Sequence, residues 1–231
     1  MNNSKIITVR NLIKDYGMGK QSFRALNDIS LTINKGEFTG LIGPSGSGKT
    51  TLLNILGALD NPTGGDAVVL EKSIRDLQHK EAAKLRNDSI GFIFQTFNLL
   101  PVYSVFENVE FPLLLLKKGK EEREKLVMQA LEWVGLAGKA KSRPNQLSGG
   151  ESQRVAVARA MVKLPEIVLA DEPTANLDAA NSHNILKTML KLNEELKTTF
   201  IFATHDEKVI GYLRRKIVLS DGKIINDISM N

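Results

Sequence analysis

Residues 37–51 read EFTGLIGPSGSGKTT, and the parsing of this stretch decides the fold. The apolar run at 38–42 has strand character and stops at Gly43. Residues 43–50 then fit G-x-x-x-x-G-K-[ST], and residues 48–58 carry Leu52, Leu56 and Leu59 at the i, i+4, i+7 spacing of one helix face. A strand, a glycine-rich turn and a helix in that order make a phosphate cradle. Backbone N–H groups turn inward, and the helix N-terminus adds partial positive charge. The reading places Gly43, Pro44, Ser45, Gly46, Ser47 and Gly48 around phosphate, Lys49 on the β- and γ-phosphates and the Thr50 hydroxyl on Mg²⁺, with Thr51 counted in the nucleotide-binding set.

Three further apolar runs also stop at polar groups. Residues 90–94 end in Gln95, residues 167–170 in Asp171 and Glu172, and residues 200–204 in His205. Strands buried on both faces read this way, and in an open parallel sheet ligands sit at the carboxyl ends of the strands. The four endings are therefore expected to converge. Asp171 suits the metal-side acid, since Mg²⁺ prefers oxygen ligands and retains waters. Glu172, one residue further on, is placed to take a proton from an attacking water; without the cradle it reads as an acidic residue of the next turn. His205 is expected at the γ-phosphate or the attacking water, whereas His79 and His183 fall in polar helical contexts and read as surface residues. The Gln95 amide can meet Mg²⁺ or water, although a strand-ending glutamine also serves as a solvated cap. Tyr16, in KDYG ahead of the second strand, offers a ring to a base or to edge packing.

The rest of the chain frames this site. Short strands are expected at KIITVRNL and ALNDISLTIN, and a charged helical segment at about 104–142, with Leu126, Ala130 and Trp133 on one stripe. A helix from 152 to 161, a strand EIVLA, a helix from 179 to 196 and a strand TTFIFAT follow. Alternation of strand and helix predicts a parallel sheet wrapped on both faces. The 231 residues, 42% of them hydrophobic, fill a sizeable core without an evident linker. The formal charge of +5 arises from 31 basic residues interspersed with 26 acidic ones, which describes a solvated surface rather than a nucleic-acid face. With no cysteine, disulfides and thiolate chemistry are excluded. The start, MNNSKIITVRN, lacks the apolar segment of a secretory signal, and the richest apolar run, FPLLLL at 111–116, is far short of the ~20 residues that span a bilayer. Any membrane role is expected to run through a partner.

A second small-residue turn stands about a hundred residues after the first. Residues 146–154, QLSGGESQR, place Ser-Gly-Gly at the start of a helix, which is an anion site, with no second lysine loop to complete it. GPSGSGKT, FIFQ, LSGGESQR, VLADEP, ANLD and ATHD together resemble, in order and approximate spacing, the ATP-binding subunits of ABC transporters. The resemblance covers nearly the whole chain. It implies an α/β fold, a RecA-like P-loop NTPase core with a small antiparallel β subdomain and a helical subdomain inserted at about 97–160, within one domain spanning 1–231. ATP hydrolysis with Mg²⁺ is implied, in a head-to-tail dimer where Ser148, Gly149 and Gly150 contact the γ-phosphate held by the partner's loop. Carried over by motif, Gln95 is the Q-loop glutamine and a metal-site residue, Asp171 and Glu172 the Walker B pair, Asp178 the D-loop acid, His205 the switch histidine and Tyr16 the adenine-stacking aromatic. The D-loop begins with Ala175 where close relatives more often have glycine, an added methyl that restricts the turn more than the chemistry.

Within that family, FIFQTFNLLPVYSVFENVEFPL, NILGALDNPTGG and ADEPTANLD most resemble the LolD and MacB group. This implies a peripheral ATPase on the cytoplasmic face, most simply a homodimer, driving an integral membrane subunit with a large extracytoplasmic domain to extrude lipoprotein, peptide or drug. Residues 96–106, with Phe97, Leu99, Leu100 and Val102, are expected to receive that subunit's coupling segment. Two other functions compete: a division-type ATPase regulating a membrane partner without transport, and a soluble ABC ATPase acting on DNA or ribosomes. An uninterrupted single cassette without cysteine favours the transporter motor.

Overall fold

The computed structural model describes residues 4–18 and 21–230. The chain starts with two long antiparallel strands, β1 (Lys5–Met18) and β2 (Gln21–Asn34). In β2 Ile29, Leu31 and Ile33 alternate and are buried, and Leu26, three residues before Ile29, reaches the same core across the left-handed Asp28 at φ 61°. β3 (Phe38–Ile42) then leads into the cradle and α1 (Lys49–Leu56). β4 (Gly64–Val69) and β5 (Lys72–Ser73) return to β1, completing a four-stranded sheet of order β2-β1-β4-β5.

The expected helix over 48–58 is shorter than the apolar spacing implied. Gly57 caps it, Ala58 takes a left-handed φ of 52°, and the Leu59 N–H donates to the Asn54 carbonyl at 2.8 Å. This closing turn carries Leu59 out of the buried stripe, leaving it 47% exposed, while Leu53 and Ile55 join Leu52 and Leu56 inside.

α2 (His79–Ser89), of which the sequence reading gave the polar helical context of His79 but no bounds, feeds β6 (Ile90–Ile93). Three helices follow: α3 (Val105–Leu115), α4 (Lys120–Trp133) and α5 (Gly149–Met161). The stripe expected on α4 is rotated. Val127, Ala130, Leu131 and the following Val134 are buried against α3 and α5, whereas Leu126 and Trp133 are half-buried. Spacing of i, i+3, i+4, i+7 still holds, one residue out of phase with the expectation. α5 begins three residues earlier than expected, because Ser148 and Glu151 form a reciprocal cap: the Ser148 hydroxyl accepts from the Glu151 N–H, and the Glu151 carboxylate accepts from the Ser148 N–H.

β7 (Ile167–Asp171), α6 (Ala179–Leu196), β8 (Thr199–Thr204), the single turn α7 (Glu207–Ile210), β9 (Arg215–Ser220) and β10 (Lys223–Ser229) complete the order. The second sheet runs β10-β9-β3-β8-β7-β6, parallel except for β10. Its strands alternate between two apolar cores. Phe200, Phe202, Val168 and Ala170 pack with the helices of 105–161, and Ile201, Ala203, Ile167 and Leu169 pack with α1 and the first sheet. Phe38 joins the first of these cores, its ring centroid 4.7 Å from that of Phe202. A sheet covered on both faces exposes only its strand ends, and that restricts where a site can form.

Candidate active site

Register sets the site. Ile42 pairs with Thr204, Ala203 with Asp171, and Ala170 with Ile93, so β3, β8, β7 and β6 end level with one another. The residues that follow each strand are thereby brought together, as expected. A pocket of about 450 Å³ is lined by Ser45, Gly46, Gly48, Lys49, Thr50 and Thr51 from the loop and α1, by Gln95, Glu172 and His205 from the other strand ends, and by Tyr16.

Within the loop, Gly48 has a φ of 100°, and a Cβ there would lie 2.7 Å from the Ala25 carbonyl. Only glycine fits that turn. Lys49 is 6% exposed and donates to the carbonyls of Gly43 at 2.7 Å and Pro44 at 2.9 Å. Among the described residues no carboxylate lies within ion-pair distance of it, so the ammonium is a buried cation free to pair with a phosphate. Ser47 Oγ is buried without a hydrogen-bond partner among the described residues.

Thr50 Oγ1 donates to Asp171 Oδ1 at 3.1 Å, joining α1 to the end of β7. Burial raises the Asp171 carboxyl above its ordinary range; the Thr50 bond and the Lys49 charge oppose this, and the adjacent Glu172 charge adds to it. A cation beside this carboxylate would relieve that strain. Among the described residues no cluster of three His, Asp or Glu side chains can hold a metal alone. The donor set is instead a hydroxyl, a carboxylate and, exposed across the pocket, the Gln95 amide. It suits Mg²⁺, which keeps water and phosphate oxygens in its shell.

Glu172 adopts a left-handed φ of 44°, uncommon for a residue with a side chain. Its Oε1 lies 2.7 Å from His205 Nδ1, and its Oε2 accepts from Thr204 Oγ1 at 3.0 Å. The carboxylate is thus aimed and held at the pocket. Gln153, which the sequence reading did not single out, is fully buried, and its Nε2 donates to the Pro173 carbonyl at 2.6 Å, bracing the loop that carries Glu172. Nothing in its local sequence marks that role, because its partner is twenty residues away.

Tyr16 lies ahead of β2 as expected, within a β1 that runs on past the expected KIITVRNL, and its ring is fixed from two sides. The hydroxyl donates to Asp60 Oδ2 at 2.8 Å, and the Lys14 ammonium sits 4.8 Å from the ring centroid. Burial and then the Asp60 hydrogen bond raise the Tyr16 pKa. Lys14 also pairs with Asp60, so the ring rests on an ion pair. Directly across the β1–β2 ladder from Tyr16 is Phe23, 53% exposed and also lining the pocket. Pairing register supplies this second aromatic, and only a hairpin alignment of β1 on β2 would have revealed it.

Ser148, Gly149, Gly150 and Asp178 do not line this pocket. Ser148 and Gly149 are exposed at the start of α5. Asp178 caps α6, accepting from the Asn181 N–H at 2.8 Å and from Asn181 Nδ2 at 2.7 Å. A Cβ on Gly150 would lie 2.5 Å from Asn181 Oδ1, so the turn and the Asp178 segment are packed together. Asn176 Nδ2 in turn donates to the Gln95 carbonyl at 2.9 Å, linking that segment to the strand end at β6. Of the other histidines, His79 is exposed at the start of α2, and His183 is exposed with its Nδ1 3.0 Å from the Tyr212 hydroxyl.

This arrangement of nucleotide cradle, acidic strand end and detached glycine turn is that of an ATP-binding cassette. Residues 26–175 match the family described as ABC transporter. The chain is 44% identical over 223 residues to the ABC transporter ATP-binding protein MJ0796 of Methanocaldococcus jannaschii, covering 95% of each. It is 42% identical to the lipoprotein-releasing system ATP-binding protein LolD of Legionella pneumophila, covering 96% of this chain and 98% of LolD. A dimeric structure of MJ0796 in a post-hydrolysis state, bound to ADP and Pi, superimposes with a TM-score of 0.90 at 42% identity, over 97% of this chain and 99% of that one. The chain belongs to the ABC transporter family as an ATP-binding, ATP-hydrolysing cassette, and it falls with the LolD and MacB group.

Proposed function

We propose that the chain is the motor subunit of a LolD/MacB-type complex, acting at the cytoplasmic face of the membrane as an ATP-dependent homodimer. It drives a separate integral membrane subunit, one with a large extracytoplasmic domain, to extrude lipoprotein, peptide or drug. Among the described residues no helix is long and apolar enough to cross a membrane, which is compatible with a membrane part supplied by a partner.

One observation carries the reading. The chain has two phosphate-binding turns, and the second, which opens α5, exposes Ser148 and Gly149 away from the pocket of the first. Two copies placed head to tail let each turn close the other's site, and ATP is then the glue between them. The relationship to LolD and to a dimeric MJ0796 supports the same arrangement.

Each residue then has a role. Tyr16 and Phe23 hold the base, the loop from Gly43 to Gly48 wraps the phosphates and Lys49 neutralises them. Thr50, Asp171 and Gln95 would hold Mg²⁺, which supplies charge neutralisation on the phosphates when bound. The Glu172 carboxylate takes a proton from water as its oxygen bonds to the γ-phosphorus and the bond to the ADP oxygen breaks, releasing ADP and phosphate. His205 keeps that carboxylate aimed and meets the γ-phosphate. Asp178 meets the nucleotide of the opposite copy from its place beside Gly150.

The test is to purify tagged Glu172→Gln protein with ATP from gently solubilised membranes and to identify by mass spectrometry what accompanies it. A membrane protein with few spans and a large external domain supports the motor; exclusively soluble or nucleic-acid partners overturn it.

A further inference from the structure

The pattern S-x-x-E opens two helices of this chain, and the two caps differ. At α3, Glu107 Oε2 accepts from both the N–H and the hydroxyl of Ser104, each at 2.7 Å. The Ser104 N–H first and its hydroxyl next hold the Glu107 carboxyl below its ordinary range. That hydroxyl proton is used inside the cap. At α5, Glu151 Oε2 accepts from the Ser148 N–H at 2.9 Å, and Ser148 Oγ accepts from the Glu151 N–H at 3.2 Å. Among the described residues the Ser148 hydroxyl donates to no acceptor within hydrogen-bond geometry.

One residue accounts for the difference. The Lys139 ammonium pairs with Glu151 Oε1, the oxygen that Ser148 does not use, whereas Glu107 has no ion pair among the described residues. Lys139 ends a 3-10 turn, Ala137–Lys139, and the chain just after it is tied to the start of α3. The Phe106 N–H donates to the Ala140 carbonyl at 2.9 Å, and the Val105 N–H to the Ser142 carbonyl at 2.8 Å. The backbone beneath the ammonium is thereby fixed. Lys139 first and the Ser148 N–H next lower the Glu151 pKa, and of the groups that lower it the Ser148 hydroxyl acts least.

We infer, on the head-to-tail reading of the motor, that Lys139 is the positioning residue of the second turn: by holding Glu151 it leaves the Ser148 hydroxyl free to donate to the γ-phosphate on the opposite copy. The same pairing offsets a carboxylate that would otherwise face that phosphate and repel it. Without Lys139, Glu151 turns to its own serine hydroxyl as Glu107 does, and the turn meets ATP with an uncompensated negative charge. Lys139 acts through Glu151 and not on the nucleotide.

The pair is partly exposed, 42% at Lys139 and 18% at Glu151. Such a pair contributes little to folding, so Lys139→Met should keep its melting temperature within about 4 °C of the parent. The effect should appear at dimerisation. In Glu172→Gln protein, Lys139→Met should leave the affinity of the dilute monomer for ATP within about twofold. It should weaken the ATP-bound dimer about tenfold per turn, hence about a hundredfold for two turns, as read by sedimentation equilibrium. Lys139→Arg, which keeps the charge, should stay within about threefold. The deciding variant combines Lys139→Met with Glu151→Gln: the amide still accepts from the Ser148 N–H but carries no charge, and dimer affinity should return to within about threefold. Lost packing around Lys139 is not repaired by that change. Unaltered dimerisation in Lys139→Met, no recovery in the double variant, or an equal loss of monomer ATP binding overturns the role of Lys139 and leaves the motor reading in place. Failure of the Glu172→Gln parent itself to dimerise with ATP removes the head-to-tail reading, and the role of Lys139 with it.

Discussion

Glu172 Oε1 and His205 Nδ1 lie 2.7 Å apart although 33 residues separate them in the chain. The contact exists because Asp171 pairs with Ala203 across β7 and β8, so the residues after the two strands leave the sheet side by side. Thr204 Oγ1 adds a second bond, and the strained backbone at Glu172 holds the carboxylate clear of the turn. A carboxylate fixed in this way is positioned to receive a proton. Glu172→Gln should therefore lower ATP hydrolysis by about 10²- to 10⁴-fold, with ATP binding retained and an ATP-bound dimer accumulating. Single-turnover hydrolysis and size-exclusion chromatography with ATP read both effects, and near-normal turnover would take Glu172 out of the base role.

Gly149 and Gly150 are adjacent but should respond differently. A Cβ on Gly149 meets nothing closer than 3.6 Å, whereas one on Gly150 meets Asn181 Oδ1 at 2.5 Å. Gly149→Asp should fold and bind nucleotide as a monomer yet fail to dimerise with ATP, since the new charge opposes the partner's phosphate. Gly150→Val should displace Asn181 and lower the melting temperature as well. Equal loss of nucleotide binding and dimerisation in Gly149→Asp would count against a turn acting on the opposite copy.

Gln153 braces the loop after Glu172 from inside the core. Gln153→Met keeps the volume but leaves the Pro173 carbonyl without its 2.6 Å donor. The cost should be about 1–3 kcal/mol of stability, the usual penalty for one orphaned buried group. kcat should fall more than KM rises, because the brace serves the catalytic loop rather than the nucleotide. A variant with lowered stability and unchanged kcat would show the contact to be structural only.

The two aromatics over the cradle are separable. Tyr16→Ala should weaken ATP binding about tenfold, as loss of one stacked ring costs about 1–3 kcal/mol. Tyr16→Phe keeps the ring and loses only the bond to Asp60, so its effect should be small. Phe23→Ala should weaken binding measurably less than Tyr16→Ala, because its ring is the more exposed of the pair. Nucleotide titrations by fluorescence compare all three, and a full-sized loss in Tyr16→Phe would shift the role from the ring to the hydroxyl.

Local chemistry was readable wherever a motif is contiguous. The loop at 43–50, the acidic pair 171–172 and the small-residue turn at 148–150 depend on neighbours a few residues apart, and spacing reveals such features directly. Phases and ends were less legible. Helix α4 turned one residue from its expected stripe because α3 and α5 chose its buried face, and Leu59 left its helix through a left-handed turn at Ala58, just after the capping Gly57. α2 was legible only as a polar helical context around His79, without bounds, because Leu85 is its one buried residue, too little for an apolar period to register.

The sequence by itself determined that four strands end in polar groups, that one loop binds phosphate and that a second turn lacks a lysine of its own, since each is a property of adjacent residues. Tertiary structure alone decided that Thr50 reaches Asp171, that Phe23 stands opposite Tyr16 and that Gln153 braces the catalytic loop. Those relationships depend on strand register and on which helix faces meet. Packing of the whole core fixes both, and no short stretch of chain contains them.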